Sequence, residues 1–103
     1  MFGLDKIFGR SVPRIDPATA TRLIEQGAFV LDVRGPSEFA SGAAPDAVNV
    51  PLGELAQRSS ELPRDRPIVA YCRSGMRSAK AVRQLVEAGF DAHDAGGLGN
   101  LMR

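Results

Sequence analysis

The chain has 103 residues, and its 13 Lys and Arg against 12 Asp and Glu leave a formal net charge of +1. This length fits one domain with a small core, and the balanced charge argues against a nucleic-acid-binding surface, which needs clustered basic residues. A single cysteine and a single histidine argue against an internal disulfide and a Cys/His metal site. We therefore expect a protein without a bound metal, in a reducing compartment such as the cytoplasm.

The N-terminal segment, residues 1–11, is distinct from the rest of the chain. It lacks the long apolar stretch of a signal peptide, and no apolar run in the chain is long enough to span a membrane. It does carry a short amphipathic pattern of four apolar side chains: Phe2, Leu4, Ile7 and Phe8. We interpret it as an arm that either packs on the domain or touches a partner or membrane surface, ahead of a domain over residues 12–103.

In the domain, strand-like runs alternate with helix-like stretches. Asp16 followed by Pro17 is a helix start signal. The elements predicted in the first half are a helix over residues 18–26, a strand over 29–31 that ends at Asp32, a brief helix over 36–41 and a strand over 47–50. Those predicted in the second half are a helix over 52–62, a strand over 68–71, a helix over 76–88, a strand over 90–94 and a final turn from Gly96-Gly97 through Leu101. The helix over 76–88 is expected to bury one apolar face: Ala79, Val82, Leu85 and Val86.

Short apolar strands separated by helices predict an α/β fold with a parallel sheet covered by helices on both faces. In open parallel sheets, functional sites form beyond the carboxyl ends of the strands. Asp32 and Arg34 follow one such end, Cys72 lies at another, and Gly96 and Gly97 follow a third. We expect these three segments to meet at one edge of the sheet.

Cys72 is the main candidate for a reactive residue. It lies between an apolar strand and a helical pattern, where unpaired N–H groups and the positive end of the helix dipole favour a thiolate. A thiolate is a nucleophile that needs no metal. The competing interpretation is an unreactive cysteine that fills the core, but the Ser, Gly and Arg residues that follow are typical of an anion-binding loop.

Three segments, in this order and at this spacing, together resemble the signatures of rhodanese-like domains. They are Leu31-Asp32-Val33-Arg34 with Glu38-Phe39 and then Gly42, Pro45, Ala47, Asn49 and Pro51; the loop Cys72-Arg73-Ser74-Gly75-Met76-Arg77-Ser78; and Gly96-Gly97-Leu98 with Asn100. The resemblance covers about residues 12–103. It departs from the family at Ala43-Ala44, where a His-Ile pair is frequent, and at Leu101, where an aromatic is usual. Neither departure lies in the loop.

The resemblance implies a rhodanese-like fold and a cofactor-free sulfurtransferase in which Cys72 carries a sulfane sulfur as a persulfide. The donor would be a small anion such as thiosulfate, or another persulfide, and the acceptor cyanide, a thiol or a protein. One alternative is a sulfur-relay or docking module for a specific protein partner. Another is a cysteine-dependent phosphatase or arsenate reductase. Four residues separate Cys72 from Arg77, one fewer than in those phosphatases and reductases, and the shorter loop suits a single sulfur atom.

The residues predicted to bind the donor are those of the loop: Arg73, Ser74, Gly75, Met76, Arg77 and Ser78. Gly75 permits a backbone conformation that other residues resist. Arg77 is expected to meet the anionic donor and Arg73 to project outward and guide it; the alternative for each is a surface charge paired with Asp or Glu. Ser78 is expected to cap the helix or brace the loop, and Met76 to cover the loop or pack inward.

Polar residues outside the loop carry weaker expectations. Asp32 and Arg34 are predicted to form a network that supports the loop, and a self-contained structural ion pair is the equal alternative. His93, the single histidine, is expected to be a surface or half-buried residue, since no partner for it can be read from the sequence.

Overall fold

The computed structural model describes residues 12–101, so the predicted arm over residues 1–11 lies outside the described part. The strands of this part are β1 (Phe29–Asp32), β2 (Val48–Asn49), β3 (Ile68–Cys72) and β4 (Ala92–Gly97). Its α-helices are α1 (Pro17–Glu25), α2 (Pro36–Ala40), α3 (Leu55–Arg58) and α4 (Met76–Glu87). Helix α1 begins as predicted, with the Asp16 carboxylate accepting a hydrogen bond of 2.8 Å from the backbone N–H of Thr19. None of the helices within residues 12–101 has the length and hydrophobicity needed to cross a membrane.

The four strands form one parallel sheet in the order β2-β1-β3-β4. Strand β3 is central and every residue in it is buried, because helices cover both faces of the sheet. Apolar side chains of α1 pack on one face, and those of α3 and α4 pack on the other. The predicted α/β architecture, with a parallel sheet between two helical layers, is therefore confirmed.

The carboxyl ends of three strands meet at one edge of the sheet. Asp32 of β1 is in register with Tyr71 of β3, and the next residue of β3, Cys72, is in register with Gly97 of β4. The three segments predicted to converge do so, since parallel strands in this register must end together.

Strand β4 extends further than predicted. It runs to Gly97 rather than ending at Asp94, and a bulge leaves Ala95 without a partner in β3. The predicted end at Asp94 was wrong because glycines such as Gly96 and Gly97 usually interrupt strands. Here Gly97 instead allows the end of β4 to pack closely against the loop. A Cβ atom at Gly97 would lie 2.6 Å from the carbonyl oxygen of Arg73, so only glycine lets the strand end approach the loop after Cys72.

Two helix predictions also need correction. The helix predicted over residues 52–62 is a single α-helical turn, α3, between the 3₁₀ turns Leu52–Glu54 and Ser59–Glu61; serine and glycine in this stretch are weak helix formers. In α4 the buried residues are Ser78, Ala81, Val82 and Leu85. Val86, predicted to be buried, is 43% exposed, because the inward face of α4 is centred on the polar Ser78 rather than on Ala79.

Two valines one turn apart in α4 test this assignment of the buried face. Val82 is fully buried and Val86 is 43% exposed. We expect Val82→Ala to lower the free energy of unfolding by about 2 kcal/mol through lost apolar contact and the remaining cavity. Val86→Ala should change it little, since alanine is the better helix former. Urea denaturation of both variants measures the difference, and equal losses would contradict the orientation of α4.

Candidate active site

Cys72 lies at the end of β3 with its side chain on the face covered by α4. It is 1% exposed. Its sulfur accepts hydrogen bonds from the backbone N–H of Gly75 at 3.0 Å and of Ser78 at 3.4 Å, and the Ser78 hydroxyl oxygen lies 3.7 Å away. The loop therefore curls over the sulfur and turns N–H donors toward it, as the sequence predicted.

Gly75 makes this turn possible. Its φ is +106°, in the left-handed region, and it precedes the first residue of α4. A side chain there would be strained and would overlap the guanidinium of Arg14. The glycine thus allows the chain to reverse direction and point its own N–H at the Cys72 sulfur before the helix begins.

Burial and hydrogen bonding act in opposite directions on the Cys72 thiol. Burial, the largest single influence, raises the pKa of the thiol. The backbone N–H and hydroxyl of Ser78 and the backbone N–H groups of Gly75 and Arg77 oppose it, and together they hold the pKa of Cys72 below its ordinary value. Such convergent donors stabilise an anion on sulfur, so the site favours a thiolate.

The side chains of the loop mostly face outward. Arg73, Ser74 and Met76 are exposed. Met76 is 74% exposed, so it does not pack inward. With their side chains in solvent, these residues form the outer surface of the loop, and Arg73 projects outward as expected.

Arg77 is paired with a carboxylate. Its guanidinium donates hydrogen bonds of 2.7 and 3.0 Å to the two carboxylate oxygens of Glu38 in α2. The hydrogen bonds from Arg77 lower the pKa of Glu38 to about 2, and in turn the carboxylate raises the pKa of Arg77. The contacts of Arg77 are therefore those of the alternative expectation, a charge paired with Asp or Glu. The pair also connects α2 to the first turn of α4.

Ser78 braces the loop from inside α4 and is not the helix cap, a position that Gly75 occupies. Its hydroxyl lies 2.7 Å from the Oδ1 atom of Asp94 and 3.1 Å from the carbonyl oxygen of Gly75. Asp94 is 2% exposed and also accepts a 2.8 Å hydrogen bond from the N–H of Gly96. The sequence analysis missed Asp94; an acidic residue inside the last apolar strand was the only signal for it.

Asp32 and Arg34 form a buried network on the other face of the sheet. The Asp32 carboxylate accepts the backbone N–H of Arg34 at 2.8 Å, its guanidinium at 2.7 to 3.1 Å, and the hydroxyl of Tyr71. That hydroxyl accepts the N–H of Ala44 at 3.0 Å, and Arg34 donates to the carbonyl of Gly42 at 2.7 Å. The network holds Tyr71, the residue before Cys72, and these contacts do not reach the side chains of the loop.

Burial and the hydrogen bond to Asp32 raise the pKa of Tyr71 to about 12. The phenol therefore stays protonated, which it must be to donate to the Asp32 carboxylate. The same carboxylate raises the pKa of Arg34. The network thus contacts β3 through Tyr71 and not the loop itself, and a supporting role for Asp32 and Arg34 stays a prediction.

Arg14 is a further residue at the site that the sequence analysis did not single out. Its backbone bridges to Asp94, and its Nε atom lies 4.0 Å from the Oδ2 atom of Asp94. The side chain passes over Gly96 and reaches Gly75. A single arginine before the first helix has no pattern that would indicate this placement.

His93 is paired outside the loop. Its Nε2 atom lies 2.7 Å from the Oδ1 atom of Asp91, and its side chain is 32% exposed, which agrees with the expected half-buried position. Among residues 12–101, no three His, Cys, Asp or Glu side chains converge closely enough to hold a metal ion.

The family model of the rhodanese-like domain matches residues 16–97. The chain belongs to this family. Its fold is thus that of a rhodanese-like domain, as the resemblance implied.

Relatives of this rhodanese-like domain include two bacterial proteins. A protein named sulfurtransferase from Allochromatium vinosum is 44% identical over 62 residues, which are 60% of this chain and 58% of that protein. Thiosulfate sulfurtransferase GlpE from Pseudomonas syringae pv. syringae is 40% identical over 77 residues, 75% of this chain and 73% of that protein. The chain therefore spans less than two thirds of the first relative and nearly three quarters of the second.

A solved structure has the same fold. The rhodanese-related protein from Thermoplasma volcanium is 33% identical and superimposes with a TM-score of 0.78, covering 86% of this chain and 89% of that one.

The depressed pKa of Cys72 predicts its reactivity. Because the folded loop stabilises the thiolate, alkylation by iodoacetamide should have its pH midpoint below that of the same cysteine in the unfolded chain. Parallel measurements in buffer and in denaturing urea make the unfolded protein its own control. A folded midpoint equal to or above the unfolded one would mean that burial outweighs the N–H donors.

Tyr71→Phe tests whether the Asp32–Arg34 network affects only the stability of the protein or also the reactivity of Cys72. It removes the hydroxyl that Asp32 and the buried Ala44 N–H both use, so it should cost about 1–3 kcal/mol of unfolding free energy. The pH midpoint for alkylation of Cys72 should stay near that of the wild type, because the hydroxyl lies on the opposite face. Urea denaturation and iodoacetamide kinetics check the two parts; a large shift in the midpoint would show that the network acts on the loop itself.

Proposed function

We propose that this chain is a sulfurtransferase that carries a sulfane sulfur on Cys72. The observation that supports this most is the convergence of backbone N–H groups on one buried sulfur atom. Relatives named as sulfurtransferases, at 44% and 40% identity, support the same assignment. A persulfide is an anion, and its terminal sulfur is stabilised by the kind of donors that favour the thiolate.

The reaction has two displacements on sulfur. The Cys72 thiolate attacks the outer sulfur of thiosulfate; an S–S bond to Cys72 forms, the S–S bond of thiosulfate breaks, and sulfite leaves with the electron pair. Cyanide or a thiolate then attacks the terminal sulfur of the persulfide, which releases thiocyanate or a new persulfide and regenerates the Cys72 thiolate. Atoms and electrons balance without an external oxidant or reductant.

Each loop residue has a place in this proposal. Gly75 and Ser78 supply N–H donors to the sulfur, and the backbone of Arg77 also helps to lower the pKa of the thiol. The Arg77 side chain, held by Glu38, fixes the first turn of α4. Arg73, Ser74 and Met76 face solvent and meet the donor or acceptor as it arrives.

A protein acceptor is the second candidate, in which the domain acts as a sulfur-relay module. The exposed Met76 beside the exposed Arg73 favours it, since an apolar tip next to a charge at the mouth of a site suits contact with a protein surface. The first displacement is the same in both cases, and only the acceptor differs.

Intact mass spectrometry after incubation with thiosulfate tests the proposal. We expect the wild type to gain one sulfur atom, which cyanide then removes with release of thiocyanate. Cys72→Ser should gain no sulfur and have no thiosulfate:cyanide activity, because this chain has no other thiol. The circular dichroism and melting temperature of the Ser variant show whether its fold is retained.

An aryl phosphate ester provides the opposing test. The loop with four residues between Cys72 and Arg77 is expected to be too short for a tetrahedral phosphate, so the wild type should not hydrolyse the ester. Phosphatase turnover, or wild-type protein that fails to take up sulfur from either thiosulfate or a glutathione persulfide, would overturn the assignment.

A further inference from the structure

We propose that Arg14 determines donor specificity by binding the anionic part of the sulfur donor at the mouth of the Cys72 loop. This inference rests on the proposed sulfurtransferase function, and it names a residue that would bind the oxyanion of the donor proposed there. The residue comes from the segment ahead of α1, outside both the loop and the other strand ends predicted to form the site.

The first argument is the position of Arg14. Its side chain lies in a trough formed by two glycines with positive φ, Gly75 and Gly96. A Cβ atom at Gly96 would lie 2.9 Å from both Cδ and Nε of Arg14, and one at Gly75 would overlap its guanidinium. The guanidinium therefore rests on the peptide whose N–H binds the Cys72 sulfur.

The second argument is the availability of its charge. Arg77 and Arg34 both have close carboxylate partners, with shortest distances of 2.7 Å to Glu38 and Asp32. Arg14 makes no side-chain hydrogen bond within residues 12–101, and its contact with Asp94 is at 4.0 Å, too long for a hydrogen bond. Its side chain is 49% exposed, so the guanidinium donors are open to a ligand.

The third argument is the space left for the donor. Cys72 is 1% exposed, and the backbone N–H groups of Gly75 and Ser78 point at its sulfur, so the bulk of a donor cannot enter the loop. That bulk has to project from the mouth. For thiosulfate it is the group that leaves as sulfite, and a guanidinium binds such an oxyanion through two parallel N–H groups.

A pair of alkylating reagents tests the charge recognition without sulfur transfer. Iodoacetate is an anion and iodoacetamide is neutral, yet both react with the same thiolate and release iodide. The ratio of their rate constants, measured at one pH, cancels any change in the thiolate fraction. We expect Arg14→Gln to lower the iodoacetate-to-iodoacetamide ratio by about 3-fold or more, as loss of one unit charge near a water-exposed anion implies.

Two further variants serve as controls. Arg14→Lys keeps the charge and should recover part of the iodoacetate-to-iodoacetamide ratio. Arg66→Gln removes the charge of an exposed arginine beside Phe29, which begins β1 at the end of the sheet away from Cys72, and should leave the ratio unchanged. The effect of Arg14→Gln should shrink at high salt, because ions screen an exposed charge.

Thiosulfate kinetics then link the residue to the proposed function. Arg14→Gln should raise the KM for thiosulfate roughly tenfold, the loss expected for a charge-assisted hydrogen bond, with an unchanged melting temperature. An unchanged reagent ratio in Arg14→Gln, or an equal fall in Arg66→Gln, would overturn the role of Arg14 even if the wild type transfers sulfur. A fall confined to Arg14→Gln with no sulfur transfer by the wild type would instead overturn the proposed function and leave an anion-recognising cysteine site.

Discussion

The structure depends on one constraint, which is that the cysteine sulfur at the end of a buried strand is met by backbone N–H groups of the loop that follows it. Burial alone opposes ionisation of Cys72, and only donors that converge on its sulfur reverse this. The left-handed backbone of Gly75 turns the chain so that these donors face inward. Strand β3 brings the thiol to the edge of the sheet, and α4 begins where its first N–H groups can reach the sulfur.

The arginines near the site differ in whether a carboxylate neutralises their charge. Asp32 with Arg34 fixes the strand end from the α1 face, and Glu38 with Arg77 ties α2 to α4. Both pairs are close and leave little charge free to bind a ligand, so they act mainly in positioning. Arg14 differs because its carboxylate contact is long and its side chain is half exposed. An arginine with these contacts, beside the loop that surrounds Cys72, supports its proposed role in binding the oxyanion of a donor.

Helix α4 and strand β4 complete the site by packing closely against each other. Ser78, inside α4, contacts both the Cys72 sulfur and the buried carboxylate of Asp94. Gly97 brings the end of β4 against the backbone of Arg73, where a Cβ atom would not fit. These contacts explain why a polar residue occupies the inward face of α4 and why glycines continue the strand. Both departures from the usual sequence rules occur where the sheet meets the loop.

The sequence by itself determined the order of strands and helices in outline, the α/β class and the place of Cys72 between a strand and a helix, because apolar periodicity and turn chemistry are local properties of the chain. It did not determine the partner of Arg77, the buried Asp94 or the presence of Arg14 at the site. Glu38 and Arg77 are 39 positions apart in the sequence, and Arg14 and Asp94, although in contact, lie near opposite ends of the domain's sequence. Only the tertiary structure decided these contacts, since the parallel sheet brings distant strand ends to one edge and no local pattern encodes which side chains then meet.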